Sequence, residues 1–220
     1  PNVMRGEETQ VLGVLQSLSA SGELLIGLPG SHSKWVEVVE GCITHFDTFM
    51  TGELFAVLSK HSLLGRTQKV SEQFQAEAFD RGVQVALSKD GQRGVLSTLF
   101  SARTLGLTAE LTPEQQPDYL SGLLIGHELR ASGLLSHAPR PAQVHLIGND
   151  RLLASYAHAL TTLGVGVQRH PEDLSARGLH ALWARRMSAA GLGKDDTVIL
   201  ICRSGDRSAR AVNLLSDLGY

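Results

Sequence analysis

The chain has 220 residues, of which 42% are hydrophobic and 19% charged, and its formal net charge is −2. This length supports a real hydrophobic core in one large or two small domains. Without a block of basic residues, the chain is not expected to bind nucleic acid or an anionic membrane surface. No apolar run is as long as a transmembrane helix, and no signal peptide is visible. The two cysteines, Cys42 and Cys202, are too few for a disulfide framework, which favours a reducing, cytoplasmic compartment.

The N-terminal part of the chain predicts a helix, three strands and a second helix. Apolar residues at helical spacing predict the first helix at 7–19. The strands are expected at 23–28, 34–39 and 42–46. The last two strands form a predicted hairpin around Glu40-Gly41, a residue pair suited to a tight turn. Thr51 is the expected N-cap of the second helix, which runs to Leu64.

Most of the chain between residues 71 and 136 is predicted to be helical. Three helices are expected near 72–88, 92–103 and 113–134, the last with Pro113 in its first turn. The HAPRP segment that follows is interpreted as a stiff linker. The later elements are expected in this order: strand 143–147, helix to 163, strand 165–168, helix 172–190, strand 197–201, loop 202–207 and a helix to 218. A hairpin-rich sheet followed by a strand–turn–helix unit predicts an α/β fold with a helical insertion.

The loop after the first strand combines small, hydroxyl and basic residues, which can present donors and a cation to a phosphate. Its candidate phosphate-binding residues are Gly30, Ser31, His32, Ser33 and Lys34. Gly30 lets the backbone approach a ligand and adopt a positive φ, and Lys34 offers a point charge to a phosphate oxygen. The spacing is not that of a Walker A loop, so an ordinary hairpin turn is an open alternative.

Two further features fit phosphoryl transfer, which needs a group that orients or deprotonates the attacking hydroxyl. Glu7 and Glu8 lie at the start of the first helix, where one of them could be a general base for a sugar hydroxyl. Acids at this position also compensate the helix dipole, which is the alternative. Gly148 and Asn149 form a strand–helix turn that could pack against an adenine ring, although such turns are common in α/β proteins. The nine histidines contain no HxH or HExxH pair, so no dedicated zinc site is expected.

Several unusual blocks occur in order between about residue 3 and residue 192. They include MRGEETQVLG, LPGSHSKWV, HSLLGR, AFDRGV, DYLSGLLIGHEL and LIGNDRLLASYAHAL. Together they resemble the 2-dehydro-3-deoxygalactonokinase family, a group of sugar-acid kinases in the actin/hexokinase/Hsp70 ATPase superfamily. The resemblance implies that residues 1–192 form the C-terminal lobe of such a kinase, with an actin/hexokinase-like (ribonuclease H-like) fold. It also implies ATP and Mg²⁺ as cofactors and a small-molecule substrate, 2-dehydro-3-deoxygalactonate, phosphorylated at its 6-hydroxyl.

The same resemblance assigns roles to segments of this chain. Residues 26–39 correspond to the second phosphate-binding loop, and residues 146–149 to the adenosine segment. The two acids of the first helix lie where related sugar kinases place their catalytic acid, and Glu7 is slightly favoured over Glu8. The other lobe of these kinases opens with a strand of Asp-Gly-Thr-Thr type, which this sequence lacks. Because the chain also begins at Pro1 rather than Met, we expect it to be the interior of a longer protein, without the N-terminal lobe.

Residues 193–220 stand apart, because an apolar strand there delivers Cys202 into a polar loop. The loop residues expected to form an anion cradle are Arg203, Ser204, Gly205, Asp206 and Arg207. A helix N-terminus and two guanidinium groups would favour the thiolate and make Cys202 a nucleophile. This segment resembles part of the active-site loop of rhodanese sulfurtransferases. The alternatives to a kinase are therefore a sulfurtransferase acting through Cys202 and an inactive fragment, and the sequence leaves open whether the tail is a natural fusion or an artefact.

Overall fold

The computed structural model describes residues 2–18, 22–136, 141, 143–171 and 174–190. Most of the predicted linker, at 137–140, and all the elements predicted beyond residue 190 lie outside the described residues. The same is true of Cys202 and the polar loop that follows it. Within the described ranges, no helix is long and apolar enough to cross a membrane.

Helices and strands alternate along the described parts of the chain. In order they are α1 (Glu7–Ser17), β1 (Glu23–Leu28), β2 (Ser33–Val39), β3 (Cys42–Phe49), α2 (Thr51–His61), α3 (Ala76–Leu87), α4 (Val95–Thr98), α5 (Ser101–Leu107), α6 (Gln116–Ala131), β4 (Gln143–Ile147), α7 (Asp150–Thr162), β5 (Gly166–His170) and α8 (Leu174–Ala190). Two 3-10 turns lie at Leu63–Gly65 and Gly91–Arg93. The predicted α/β fold is confirmed, and the residues between β3 and β4 are helical where they are regular.

The five strands form one mixed sheet in the order β3-β2-β1-β4-β5. The first three strands are antiparallel neighbours, whereas β4 is parallel to β1 and β5 is parallel to β4. The predicted hairpin turn is confirmed, since Glu40 and Gly41 have φ values of 50° and 75°, as a tight hairpin turn with two positive φ angles requires. From β1 the chain continues into β2 on one side, while β4 lies on the other. The carboxyl ends of β1 and β4 therefore meet at one edge of the sheet.

The sheet lies between two helical layers because its strands alternate apolar side chains between two faces. The cluster on one face joins the sheet to α1 and α8, and its buried members are Val11, Val14, Ile26, Leu28, Val36, Val38, Ile147 and Leu174. The opposite face packs against α6 and α7, with Trp35, Leu129, Leu146 and Leu160 among its buried residues. The helical middle has a third cluster of its own, which includes Ala86, Ala102, Tyr119 and Leu123.

The prediction of one helix at 92–103 is wrong. Residues there form the 3-10 turn Gly91–Arg93 and the short helices α4 and α5. Gly94 has a φ of 94°, which is incompatible with a continuous helix and which a glycine adopts at little cost. The neighbouring helices α3 and α6 begin at Ala76 and Gln116, later than predicted, so the predicted first turn at Pro113 is also wrong.

The predicted ends of α2 also need correction. Thr51 is the first residue of α2 and not its N-cap, because Met50 occupies the cap position and makes no side-chain hydrogen bond there. The helix ends at His61 instead of Leu64. The helix ends there because the backbone of Ser62 is extended. The Ser62 hydroxyl oxygen accepts the Leu64 N–H and so caps the 3-10 turn that follows.

Helices α3 and α6 pack closely because each carries a glycine at the contact. A Cβ atom added at Gly122 would lie 2.0 Å from the carbonyl oxygen of Phe79, and one added at Gly82 would lie 2.2 Å from that of Tyr119. Neither distance is compatible with van der Waals contact, so both backbones would have to move. This packing is important for the site below, because α6 carries a buried carboxylate that reaches the sheet.

We expect Gly122→Ala to lower the free energy of unfolding by about 1–3 kcal/mol, which is typical of overpacking in a core. The measurement is urea denaturation of the wild type and the variant in one buffer. Ser121→Ala, on the adjacent position of α6, is the matched control, because it brings in no atom beyond the existing Cβ. Equal midpoints for wild type and Gly122→Ala would show that the two helices are not packed as described.

Candidate active site

A crevice of about 310 Å³ lies at the sheet edge where β1 and β4 end. Three segments that are far apart in sequence line it: the start of α1, the loop after β1 and the turn after β4. The lining residues are Glu7, Gln10, Leu28, Pro29, Gly30, Ser31, His32, Ile147 and Gly148. The structure thus brings together five of the residues predicted from sequence, namely Glu7, Gly30, Ser31, His32 and Gly148.

The loop at 29–32 rests on the first turn of α2. The Glu53 N–H donates to the Ser31 carbonyl oxygen at 2.9 Å. A Cβ atom added at Gly52 would lie 2.3 Å from the Gly30 carbonyl oxygen, so only glycine allows this approach. Gly30 itself does not have the positive φ expected from the sequence. Its surface is open, since a Cβ atom added there would meet nothing closer than the His32 backbone at 3.8 Å.

His32 is half-exposed in the crevice and is held from one side. Its Nε2 lies 2.5 Å from a carboxylate oxygen of Glu53. Within the described residues its Nδ1 has no hydrogen-bond partner, so one ring nitrogen is available to a ligand.

Glu7 and Lys34, predicted separately as base and phosphate cation, form an ion pair. The Lys34 ammonium nitrogen lies 2.9 Å from Glu7 Oε1, and Lys34 is only 4% exposed. Lys34 does not line the crevice, so the direct phosphate contact expected from sequence is not what this geometry offers. Its charge acts on the crevice through Glu7.

The Glu7 carboxylate is held in its ionised form. Partial burial raises the pKa of Glu7, but hydrogen bonds from the Arg5 backbone N–H and from Lys34 lower it more, and the resulting pKa is below its ordinary value. The Arg5 N–H donates to Glu7 Oε2 at 2.5 Å. An ionised carboxylate beside open space has the chemistry of a proton acceptor.

The geometry distinguishes Glu7 from Glu8. Glu8 does not line the crevice, and its Oε2 accepts the backbone N–H of Gly6 at 2.7 Å. Both residues lie in the first turn of α1, so both also compensate the helix dipole.

Ser33 points away from the crevice into the core. It is 1% exposed, and its hydroxyl lies 3.0 Å from the hydroxyl of Tyr156. The Tyr156 hydroxyl donates to Glu128 Oε2 at 2.7 Å, and the Trp35 indole N–H donates to Glu128 Oε1 at 2.8 Å. The predicted donation from the Ser33 hydroxyl to a phosphate is therefore replaced by anchoring of the loop to a buried network.

Glu128 on α6 is the centre of that network, and sequence reasoning missed it. It is 3% exposed, so burial raises its pKa, while hydrogen bonds from Thr51, Tyr156, Trp35 and Ser33 limit the rise. The available signal was the acid Glu128 near the end of the largely apolar run DYLSGLLIGHEL, because a fully buried carboxylate needs partners.

The turn after β4 closes the other side of the crevice. A Cβ atom added at Gly148 would lie 3.3 Å from the Pro29 carbonyl oxygen, so the two turns are close neighbours. Asn149 is the N-cap of α7, and its side-chain oxygen accepts the Leu152 N–H at 3.0 Å. Within the turn predicted to pack against adenine, the Asn149 side chain is therefore bound to its own helix.

The described residues contain no group of three or more His, Cys, Asp or Glu side chains that could hold a metal ion. Mg²⁺ is often bound through one or two carboxylates together with the phosphates of a substrate. Glu7 is the one carboxylate among the residues that line the crevice. The crevice therefore fits an ion that arrives with a nucleotide better than a resident metal.

Fold and site define the class of protein. It is an α/β protein with a polar crevice outside the carboxyl ends of two parallel strands, at the point where the connections leave in opposite directions, which is where such sheets bind ligands. More particularly, the chain belongs to the 2-keto-3-deoxy-galactonokinase family, whose model matches residues 1–182. The family predicted from sequence is thereby confirmed.

Individual relatives agree with this assignment. The chain is 35% identical over 182 residues to a probable 2-dehydro-3-deoxygalactonokinase of Rhizobium meliloti, covering 82% of this chain and 58% of the relative. It is 36% identical over 166 residues to the 2-dehydro-3-deoxygalactonokinase of Escherichia coli, covering 76% of this chain and 54% of the relative. A crystal structure of a putative 2-dehydro-3-deoxygalactonokinase from Sinorhizobium meliloti matches with a TM-score of 0.75 and 33% identity, covering 85% of this chain and 61% of that one.

The matches also mark how far the assignment extends. The chain spans little more than half the length of the curated relatives it matches. The family match ends at residue 182, so Cys202 and the predicted rhodanese-like segment at 193–220 have no support from it.

Proposed function

We propose that the protein containing this chain transfers the γ-phosphate of ATP to the 6-hydroxyl of 2-dehydro-3-deoxygalactonate. In this proposal residues 1–192 are the C-terminal lobe of the kinase, of the actin/hexokinase-like type. The observation that carries the proposal is the crevice, which gathers Glu7, the loop at 29–32 and Gly148 in a member of a sugar-acid kinase family. The mixed sheet between helical layers supports the assignment of the lobe.

In this proposal each residue or segment of the crevice has its own role in phosphoryl transfer. Glu7 accepts the proton of the sugar hydroxyl as the hydroxyl oxygen forms its bond to the γ-phosphorus and ADP leaves. Lys34 keeps Glu7 ionised and oriented for that step. The loop at 29–32 supplies the phosphate contacts, and the turn at Gly148 lies on the adenosine side.

ATP and Mg²⁺ fit this arrangement as the cofactors. When bound, Mg²⁺ would supply positive charge that offsets the negative charge on the transferred phosphoryl group and on the leaving group. The ion would be held mainly by the nucleotide phosphates, which leaves the Glu7 carboxylate to accept the proton of the sugar hydroxyl. The low cysteine content supports a cytoplasmic location as part of the same proposal.

The test is ADP release by the full-length protein in a coupled assay with MgATP and 2-dehydro-3-deoxygalactonate. We expect turnover that depends on the sugar acid and a product phosphorylated at the 6-hydroxyl, identified by ³¹P and ¹³C NMR. The gluconate-derived epimer of the sugar acid serves as the comparison substrate. ADP release that is absent, or that does not depend on any sugar acid, would contradict the proposal.

A further inference from the structure

The first turn of α2 contacts three successive residues of the crevice loop. Gly52 lies against the carbonyl oxygen of Gly30, where a Cβ atom would come within 2.3 Å. The Glu53 N–H donates to the Ser31 carbonyl oxygen at 2.9 Å, and the Glu53 carboxylate binds His32 Nε2 at 2.5 Å. Glu53 thus holds both the backbone and a side chain of the loop, which an ordinary surface ion pair does not do.

From this geometry we infer that Glu53 is a positioning residue for the phosphate loop, and that it orients His32 so that Nδ1 contacts the terminal phosphate of the bound nucleotide. The inference rests on the proposed function, because the proposed ligand is MgATP. Glu53 lies on α2 next to Gly52, the loop's other α2 contact, and touches the reaction only through His32 and Ser31.

The chemistry of imidazole then links phosphate binding to a proton. Nε2 donates its hydrogen to Glu53, so Nδ1 carries a lone pair in neutral His32 and an N–H only in the imidazolium form. A phosphate oxygen is an acceptor and needs that N–H. The contact therefore requires the imidazolium form, so a neutral His32 has to take up a proton when the nucleotide binds.

The other charged groups around the crevice do not replace this contact. Glu7 faces the crevice from α1 and is already bound to Lys34, which is buried behind it on β2. The turn after β4 contributes Gly148, which has no charge. Within the described residues that line the crevice, His32 is therefore the side chain that can become a cation facing the ligand.

The experiment is isothermal titration of the full-length protein with MgATP between about pH 6 and pH 8.5, in buffers of different ionisation enthalpy. This range spans the titration of histidine. The number of protons taken up on binding is read from the dependence of the observed enthalpy on the buffer. For the wild type we expect net proton uptake on binding and a Kd that rises with increasing pH, with a limit of about tenfold per pH unit.

Two variants and a matched control isolate the pair. Glu53→Gln should weaken MgATP binding about three- to tenfold near pH 7 and reduce proton uptake, while His32→Asn should abolish the uptake. Glu110→Gln is the control, because Glu110 lies away from the crevice. It forms an exposed ion pair with Arg81, in which the nitrogen and oxygen atoms are 2.6 Å apart. It should bind MgATP as the wild type does. Circular dichroism and the Tm of each variant report whether it is folded.

The outcomes separate this inference from the proposed function. If the full-length protein phosphorylates the sugar acid but both variants keep wild-type affinity and proton uptake, the inference is overturned and the kinase proposal stands. A rise in the KM for MgATP with an unchanged kcat in Glu53→Gln would support a positioning residue at the nucleotide. If the wild-type full-length protein does not bind MgATP at all, the inference and the nucleotide-binding part of the proposed function both fail.

Discussion

Replacement of Glu7 by glutamine should reduce the kcat of sugar-acid phosphorylation by roughly two to four orders of magnitude, which is the usual contribution of a general base. Glutamine has nearly the same shape and would still line the crevice, but it cannot accept the proton. Affinity for MgATP should change little, because the proposed mechanism assigns the phosphate contacts to the loop at 29–32. The measurement is kcat and KM of the full-length protein, together with a MgATP titration.

The matched control for this variant is Glu8→Gln. Glu8 shares the first turn of α1 and the same dipole, but it binds the Gly6 N–H and lies outside the crevice. Its kcat should stay within about twofold of the wild type, since a surface substitution away from the site has little effect. Near-normal turnover in Glu7→Gln would exclude Glu7 as the base.

Glu7→Gln should also change how stability depends on pH, because it removes the partner of a buried lysine. The pKa of Glu7 is lower in the folded chain than in the unfolded chain. The stabilisation from its ionised form is therefore present above the unfolded pKa and is lost as the pH falls through the folded pKa. The difference in Tm between wild type and Glu7→Gln should accordingly shrink as the pH is lowered through that window.

The parts of the site that could be predicted from the sequence are those with local signals. The hairpin turn was identifiable because Glu40-Gly41 tolerates two positive φ angles. Gly148 was identifiable as a turn between an apolar strand and a helix. The assembly of these segments into one crevice followed from the parallel pairing of β1 and β4, whose carboxyl ends must share an edge.

The neighbouring pair Ser33 and Lys34 shows why the rest of the loop was misjudged. Both residues were predicted as phosphate contacts, but β2 begins at Ser33, one residue earlier than expected. Successive side chains of a strand point to opposite faces, so one enters the network under α6 and the other meets Glu7 on α1. The shift of one residue places Ser33 in β2, whereas Lys34, already the first residue of the predicted strand, lies outside the crevice in its ion pair with Glu7.

Contacts that are distant in sequence were beyond prediction from one chain. Trp35 and Glu128 are 93 residues apart, and Ser33 and Tyr156 are 123 apart. Their meeting depends on how α6 and α7 pack on the sheet, and no local pattern encodes that packing. The resemblance to a family identified the segments of the crevice but not the network beneath them.

That network leads to the largest stability effect we expect, from Glu128→Leu. Leucine has a similar size but accepts no hydrogen bond, so the buried Trp35 N–H and Tyr156 O–H lose their acceptor. Each unsatisfied buried donor costs about 1–3 kcal/mol, so the loss of the acceptor for both should lower the free energy of unfolding by about 2–6 kcal/mol. Urea denaturation measures this loss, and Glu114→Leu, at an exposed acid with a long contact to Lys69 of 3.6 Å, is the control.

A double-mutant cycle distinguishes the network from a general effect of size. Tyr156→Phe removes one of the donors left without an acceptor, so the double variant Glu128→Leu/Tyr156→Phe should lose less stability than the sum of the two single losses.

The pH dependence of stability gives a second test of the network. Since burial raises the pKa of Glu128, its stabilisation is fully present below the unfolded pKa and declines as the pH rises through the folded pKa. The cost of Glu128→Leu should therefore become smaller as the pH rises through that window.

The same cycle tests whether the helical middle supports the crevice. Ser33 directly follows the loop, Thr51 begins the helix on which the loop rests, and both donate hydrogen bonds to this network. If Glu128 holds Ser33 and Thr51 in place, Glu128→Leu should weaken MgATP binding and also lower the free energy of unfolding. The double variant Glu128→Leu/Tyr156→Phe should recover part of the lost affinity and part of the lost stability. Additive losses in stability, together with unchanged MgATP binding, would mean that α6 stabilises the sheet without positioning the loop.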